Sequence, residues 1–292
     1  MRRSHGNKGF TLIELAIVLV IIGLIVGGVL VGQDLIRAAE VRAQISQIEK
    51  YNTAVNTFRV KFNAIPGDMP LVTANLFGFT TDASCDGTAG KRDGNGLLDS
   101  DPANLPWVRE GMYEVGLFWQ DLSSSAAGNL IDGSFTGAGG TGITCATLSA
   151  TVPATGVSQY LPPAKMGRDM YVYVYNTLSS MGDPSNWYGL SGLRGINTTG
   201  AMTPSSHPLT VMQAYNIDKK IDDGLPGIDT GLGNVQAVYL ARSGASNLQT
   251  NVPFASPPVS TSCVDPTNTP NTYAITVNGG TGANCALSFR FQ

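Results

Sequence analysis

From Phe10 to Val31 the chain runs apolar, and only Glu14 in it carries a charge. As a helix rising about 1.5 Å per residue, this run is about 33 Å long, enough to cross the hydrocarbon core of a bilayer. The segment before it, Met1 to Gly9, is short, polar and basic, with Arg2, Arg3 and Lys8. Basic residues on that flank place it on the cytoplasmic side, so the rest of the chain is expected to face outward after a single pass.

Three readings compete for this segment. A cleaved secretory signal has the right basic start, but Glu14 interrupts its apolar stretch and Gly32-Gln33-Asp34 is a poor small-residue cleavage site. A plain anchor fits the length yet gives no reason for a carboxylate near one end. An ionisable group inside a membrane segment is costly and marks a function with a partner. The third reading supplies one. Lys8-Gly9-Phe10-Thr11-Leu12-Ile13-Glu14-Leu15 closely resembles the processing motif of type IV prepilins and type II secretion pseudopilins. The resemblance implies cleavage after Gly9 by a prepilin peptidase, methylation of the new Phe10 amine, and storage in the inner membrane. It further implies an assembly role for Glu14, whose carboxylate would meet the N-terminal amine of a neighbouring subunit. A cation and an anion in low dielectric attract strongly, while either alone is penalised.

The helix is expected to continue past the membrane. Val41, Ile45, Ile48, Tyr51, Val55, Phe58 and Phe62 step by four, three, three, four, three and four, one apolar stripe on a helical period. Charged residues such as Glu40, Arg42, Glu49 and Lys50 occupy the other face, and Pro66-Gly67 is the first strong stop. The expected organisation is a leader over 1–9, a membrane and assembly helix over 10–31, its amphipathic continuation over 32–63, and a head over 64–292 outside the cytoplasm. Gly23, Gly27, Gly28 and Gly32 suit close helix packing, or reflect only the ordinary abundance of glycine in membrane helices.

The head reads as mostly β. Asp169–Tyr175, Gln236–Arg242, Tyr273–Val277 and Cys285–Phe291 are rich in strand formers, and the last two are expected to form a hairpin through Asn278–Ala283. Glu110–Leu130 and Thr210–Ile221 read as helices, with Trp119 expected to pack on the first helix. The fold class is therefore α+β: a long N-terminal helix, membrane-spanning in its first half, packed on an antiparallel β-sheet head, as in pilins. Phe62–Pro70, Ala214–Gly224 and Cys285–Phe289 resemble landmarks of pilin-like proteins with long heads.

Cys85, Cys145, Cys263 and Cys285 all fall in the exported part. They form no C-x-x-C pair, and an even count outside the cytoplasm favours disulfides over free thiols. Of the three connectivities, Cys263–Cys285 is favoured by its short loop, leaving Cys85–Cys145. Asp93-Gly-Asn95-Gly-Leu-Leu-Asp99-Ser-Asp101 alternates oxygen ligands with turn glycines, which makes calcium a candidate there. No Glu stands at the twelfth position of the loop, and Asp-Gly-Asn-Gly is equally an ordinary turn. No other cofactor is expected.

The formal net charge of -3 gives no ground for nucleic-acid binding. Catalytic motifs are missing from the sequence, and its two histidines are His5, in the leader, and His207. The expected function is structural and not enzymatic: a pilus-like filament subunit. The alternative is a minor pilin or pseudopilin of a type II secretion system, or an adhesin-type binding module on a filament-anchoring helix. The expected partners are other pilin subunits, the prepilin peptidase and methyltransferase, the inner-membrane assembly platform and the membrane itself.

Overall fold

The structure is a computed structural model that describes residues 11–79, 83–99, 112–138, 141–146, 148–177, 184–198, 200–205, 207–227, 233–243 and 246–291. One uninterrupted helix, α1, runs over Leu12–Phe62, 51 residues, or about 76 Å. Its start is fixed by a capping box. The Thr11 hydroxyl accepts from the Glu14 amide, and the Glu14 carboxylate accepts from the Thr11 amide. It ends where Asn63 turns left-handed (φ 51°) and its amide returns to the Arg59 carbonyl, just before Pro66.

The two halves of α1 have different surroundings. From Leu12 to Ile36 no side chain is covered by the rest of the chain; Leu19 is 69% exposed and Leu24 73%. From Val41 onward the apolar stripe is buried at all seven expected positions. Two polar residues are buried with it, Gln44 and Gln47. The Gln47 amide nitrogen donates to Tyr51 Oη (2.7 Å) and to the Pro163 carbonyl (2.9 Å), and its oxygen accepts from the Lys165 amide (3.0 Å). This side chain ties the helix to a head loop while keeping its own polar atoms satisfied.

Two short helices follow, α2 (Leu71–Phe77) and α3 (Tyr113–Ser123). Every residue of α3 from Tyr113 to Leu122 is buried, so it is the core helix, wedged between α1 and the sheet. Trp119 meets Tyr51 of α1 edge-on at 4.7 Å and stacks near Tyr188 at 6.2 Å. This helix is shorter than the Glu110–Leu130 span expected from sequence. Ser124 is extended (φ -73°, ψ 150°) and Gly128 is left-handed, which unwinds the chain at the far end. Residues 110–111 lie outside the described residues.

The strands, in chain order, are β1 (Gly137–Ala138), β2 (Thr141–Gly142), β3 (Val152–Pro153), β4 (Met170–Thr177), β5 (Ser185–Ile196), β6 (Met202–Pro204) and β7 (Leu209–Thr210). Helix α4 (Val211–Ile221) comes next, capped by Thr210 and Gln213 in a second capping box. The series closes with β8 (Val235–Gln236), β9 (Val238–Ser243), β10 (Ser246–Asn251), β11 (Val264–Asp265), β12 (Thr272–Tyr273), β13 (Ala283–Cys285) and β14 (Leu287–Arg290). Every pair of these strands is antiparallel. The spine of the main sheet is β5. Its first part lies between β4 and β14, with Tyr188 opposite Val174 and Phe289, and its last part lies between β3 and β6.

The C-terminal hairpin expected from sequence is corrected. Of the Tyr273–Val277 segment only Tyr273 is strand, as the last residue of β12, which pairs with β11. Beyond it Asn278, Gly279 and Gly280 all turn left-handed (φ 50°, 59° and 69°), coiling the chain into a 3₁₀ turn that no ladder accommodates. The Cys285 segment pairs with β7 through β13 and then, past Ala286, enters the main sheet as β14. The expected strand Gln236–Arg242 is also split, because the Ala237 amide leaves the ladder for the Pro226 carbonyl (2.9 Å).

Candidate functional site

Gly9 and Phe10, the expected processing residues, lie outside the described residues. Glu14 sits in the first turn of α1, on the exposed end of the rod. Its Oε2 accepts from the Thr11 amide and the Thr11 hydroxyl, both at 2.8 Å. Beyond Thr11, its described neighbours along the helix, Leu12, Ile13 and Leu15 to Ile22, are apolar. Gly23, Gly27, Gly28 and Gly32 have nothing within 4 Å of where a Cβ would stand. Among the described residues of one chain, then, their small size serves no contact. Among the described residues one helix, α1, is long and apolar enough to cross a membrane.

The free and docked halves of α1 meet at a polar clasp that sequence reasoning did not single out. Glu40 accepts from Arg168 Nη2 and from the Gln213 amide nitrogen, each at 3.2 Å. Arg168 also donates to the Gln213 oxygen (3.1 Å) and the Pro208 carbonyl (3.2 Å). Val41, the first buried residue of the stripe, follows directly.

The residues weighed for calcium take part in a larger polar knot. Asp93 lies with Asp68 and Glu114, one oxygen from each within 4.8 Å of the others. Asp68 accepts from the amides of Gly94, Asn95 and Gly96, at 2.8, 3.1 and 2.7 Å. Glu114 accepts from the amides of Arg92, Asp93 and Asp99. Asn95 places its amide nitrogen 3.0 Å from both Asp93 and Asp99, while its carbonyl oxygen accepts from Leu97. Asp101 lies outside the described residues. Burial pushes Asp68 up to about 7 and raises Glu114 well above, and Asp99 above, the usual carboxylate range. The oxygens of the knot suit a hard cation in kind, and in this structure main-chain and amide N–H groups occupy them. Alongside, Arg92 and Asp121, both fully buried, pair through two bonds of 2.8 and 3.0 Å.

The cysteines form Cys85–Cys145 and Cys263–Cys285. The first ties the loop leading into the polar knot to the chain following α3; the second joins the segment before β11 to β13. His207 is half-buried, edge-on to Tyr239 at 4.2 Å, and burial lowers its proton affinity.

Residues 4–30 match the family described as the prokaryotic N-terminal methylation motif. No curated protein and no solved structure matches the chain. The matched span covers the end of the leader from Ser4, the Gly9-Phe10 junction, Glu14 and most of the uncovered apolar half of α1, and it points to a structural subunit. This chain carries the N-terminal methylation signature of type IV pilins and pseudopilins, on the long apolar helix and antiparallel β head of a pilin-like α+β fold.

Proposed function

We propose that the chain is a structural subunit of a type IV pilus-like filament. It is stored as a single-pass inner-membrane precursor with its head outside the cytoplasm. A prepilin peptidase cuts after Gly9, the Phe10 amine is methylated, and an assembly platform extracts the subunit into a filament with other pilin subunits. The observation that carries this reading is the division of α1. Its second half is docked on the head, and its first half is apolar and uncovered. In a membrane that half meets lipid; in a filament it meets copies of itself, and in neither does it meet water. The unused glycines of the first half then have a purpose, since small residues let helix backbones approach closely. Glu14 sets the axial register by pairing with the amine of a neighbouring Phe10.

Shearing filaments from the cell surface and sequencing the N-terminus of their main subunit tests the proposal. Methylated Phe10 followed by Thr-Leu-Ile-Glu, in an abundant band, supports it. The same N-terminus in only a few copies per filament moves the chain to the minor-subunit reading. A mature protein clipped beyond Val31 and released as a free head overturns both.

A further inference from the structure

Beside the seam where the docked half of α1 meets the C-terminal strand, a recess of about 400 Å³ opens on the head. Asn52, Val55 and Asn56 line it from α1; Asn234, Arg290 and Phe291 line it from the chain entering β8 and the end of β14. Asn52 and Asn56 stand one helical turn apart and so share a face of α1. Asparagine is a weak helix former, and the three asparagine side chains have no hydrogen-bond partner among the described residues. The far side is held rigid. The Arg290 amide donates to the Asn234 carbonyl (2.7 Å) and the Phe291 amide to the Asn186 carbonyl (3.1 Å). Phe291, half-buried, stacks at 4.2 Å on Tyr188, which is fully buried. Its ring is therefore a fixed part of the lining.

The lining chemistry decides what such a recess takes. Each carboxamide offers donors and an acceptor at once, which matches a hydroxyl, itself both donor and acceptor. No carboxylate lines the recess, and Arg290 is its one charged side chain, so it is built neither for a cation nor for a multiply charged anion. Planar polar groups beside one aromatic ring suit a molecule with a hydroxyl rim and an apolar C–H face. We infer that the recess binds one pyranose unit of a carbohydrate, its hydroxyls on Asn52, Asn56 and Asn234 and its C–H face against Phe291. The volume stands at the small end of ligand pockets, about 300–1,000 Å³, which fits a single ring. Asn52 lies about 32 Å along α1 beyond Val31, clear of any headgroup layer, so a glycan reaches it from outside. The recess belongs to the head and the inference stands apart from the filament reading. One such site binds weakly; many copies on one cell surface or filament bind a glycan-coated surface by avidity.

The full-length chain is placed in phosphatidylcholine nanodiscs, free of sugar-based detergent. Methyl glycosides of glucose, galactose, mannose and N-acetylglucosamine are then titrated against it by saturation-transfer NMR. One of them is expected to bind in the millimolar range, with the others clearly weaker. The Asn52→Ala, Asn56→Ala double variant weakens that binding several-fold, and Asn234→Ala, on a separate element, does the same. None of the three side chains holds the fold through a hydrogen bond to a described residue, so thermal melts of the variants match wild type. Binding of none of the four glycosides, or of all four equally, overturns the inference. So does binding that both variants leave unchanged, since it then lies elsewhere on the protein. The measurement does not require the chain to enter filaments, so failure of the filament reading leaves each of these outcomes as it stands.

Discussion

Glu14 folds its carboxylate back onto Thr11, accepting from both its amide and its hydroxyl at 2.8 Å. The proposed assembly residue is therefore also half of the capping box of its own helix. A carboxylate has about four lone-pair sites, so one oxygen can keep this bond while the other meets a neighbour's amine. The two roles separate by mutation. Thr11→Ala removes the hydroxyl cap at a cost of about 1 kcal/mol to the first turn, and its subunits are expected to enter filaments nearly as wild type. Glu14→Ala keeps the Thr11 cap on its amide but loses the carboxylate's half of the box and the partner together; it is expected to insert and be processed normally but to be scarce in sheared filaments. Immunoblots of the membrane and filament fractions check both, and normal filament entry by Glu14→Ala removes the assembly role.

Trp119 is the side chain on which the rod and the head meet. It is fully buried, edge-on to Tyr51 and within 6.2 Å of Tyr188. Trp119→Ala opens a cavity at that junction and is expected to lower head stability by about 3–5 kcal/mol. The indole N–H has no hydrogen-bond partner among the described residues, so Trp119→Phe forfeits packing alone and costs less. Thermal melts of the full-length chain in detergent give the order: wild type, then Phe, then Ala. A Phe variant as unstable as Ala would contradict this account of the junction.

Features written in local periodicity were legible in the sequence. The α1 stripe, α4 with its Thr210 cap, and β4 each announce themselves within a few residues. The strand at the centre of the sheet did not. Ser185–Ile196 carries Gly189, Gly192 and Gly195, and glycine reads as a strand breaker. The structure supplies the reason for two of them. A Cβ on Gly189 would stand 2.1 Å from the Tyr173 ring, and one on Gly195 would stand 2.5 Å from the Val152 carbonyl. The polar knot was half legible. The Asp93 loop is conspicuous, but Asp68 reaches Gly94 from 26 residues away and Glu114 reaches Asp93 from 21. No spacing rule connects such positions. The C-terminal hairpin failed because Asn278-Gly-Gly resembles a turn between strands while its three left-handed residues coil the chain toward α4.

The calcium expectation at Asp93, Asn95, Asp99 and Asp101 has a direct measurement. A ligand that binds only the folded state stabilises it by about 2.7 kcal/mol at a hundredfold excess over its dissociation constant. If calcium binds, millimolar amounts raise the melting temperature of the full-length chain, and Asp93→Asn removes the rise. An unchanged melting temperature ends the idea and leaves the loop as a turn pinned by Asp68.

Asp218 gives the head a pH dependence of definite sign. It is fully buried on α4, accepts from Tyr273 Oη at 2.7 Å and from the Gly224 amide at 3.1 Å, and has Asp222 and Asp223 as like-charged neighbours. Burial pushes it up to about 7, against about 3.9 in an unfolded chain. An acid whose folded value is raised holds its proton better when folded. Its contribution is thus fully present below about pH 4 and is lost as pH rises through about 7. Tyr273, itself pushed upward by burial, stays a donor throughout that window. Asp68 adds a slope of the same sign, so the test is a difference. Asp218→Asn keeps an oxygen for the Gly224 amide, turns its NH2 toward the Tyr273 hydroxyl, which can accept in turn, and cannot ionise. The gap between its stability and that of wild type is expected to move in favour of Asn from pH 4 to pH 8, as read by denaturant melts. Parallel stability curves for the two proteins across that range would show that Asp218 ionises as freely in the fold as out of it.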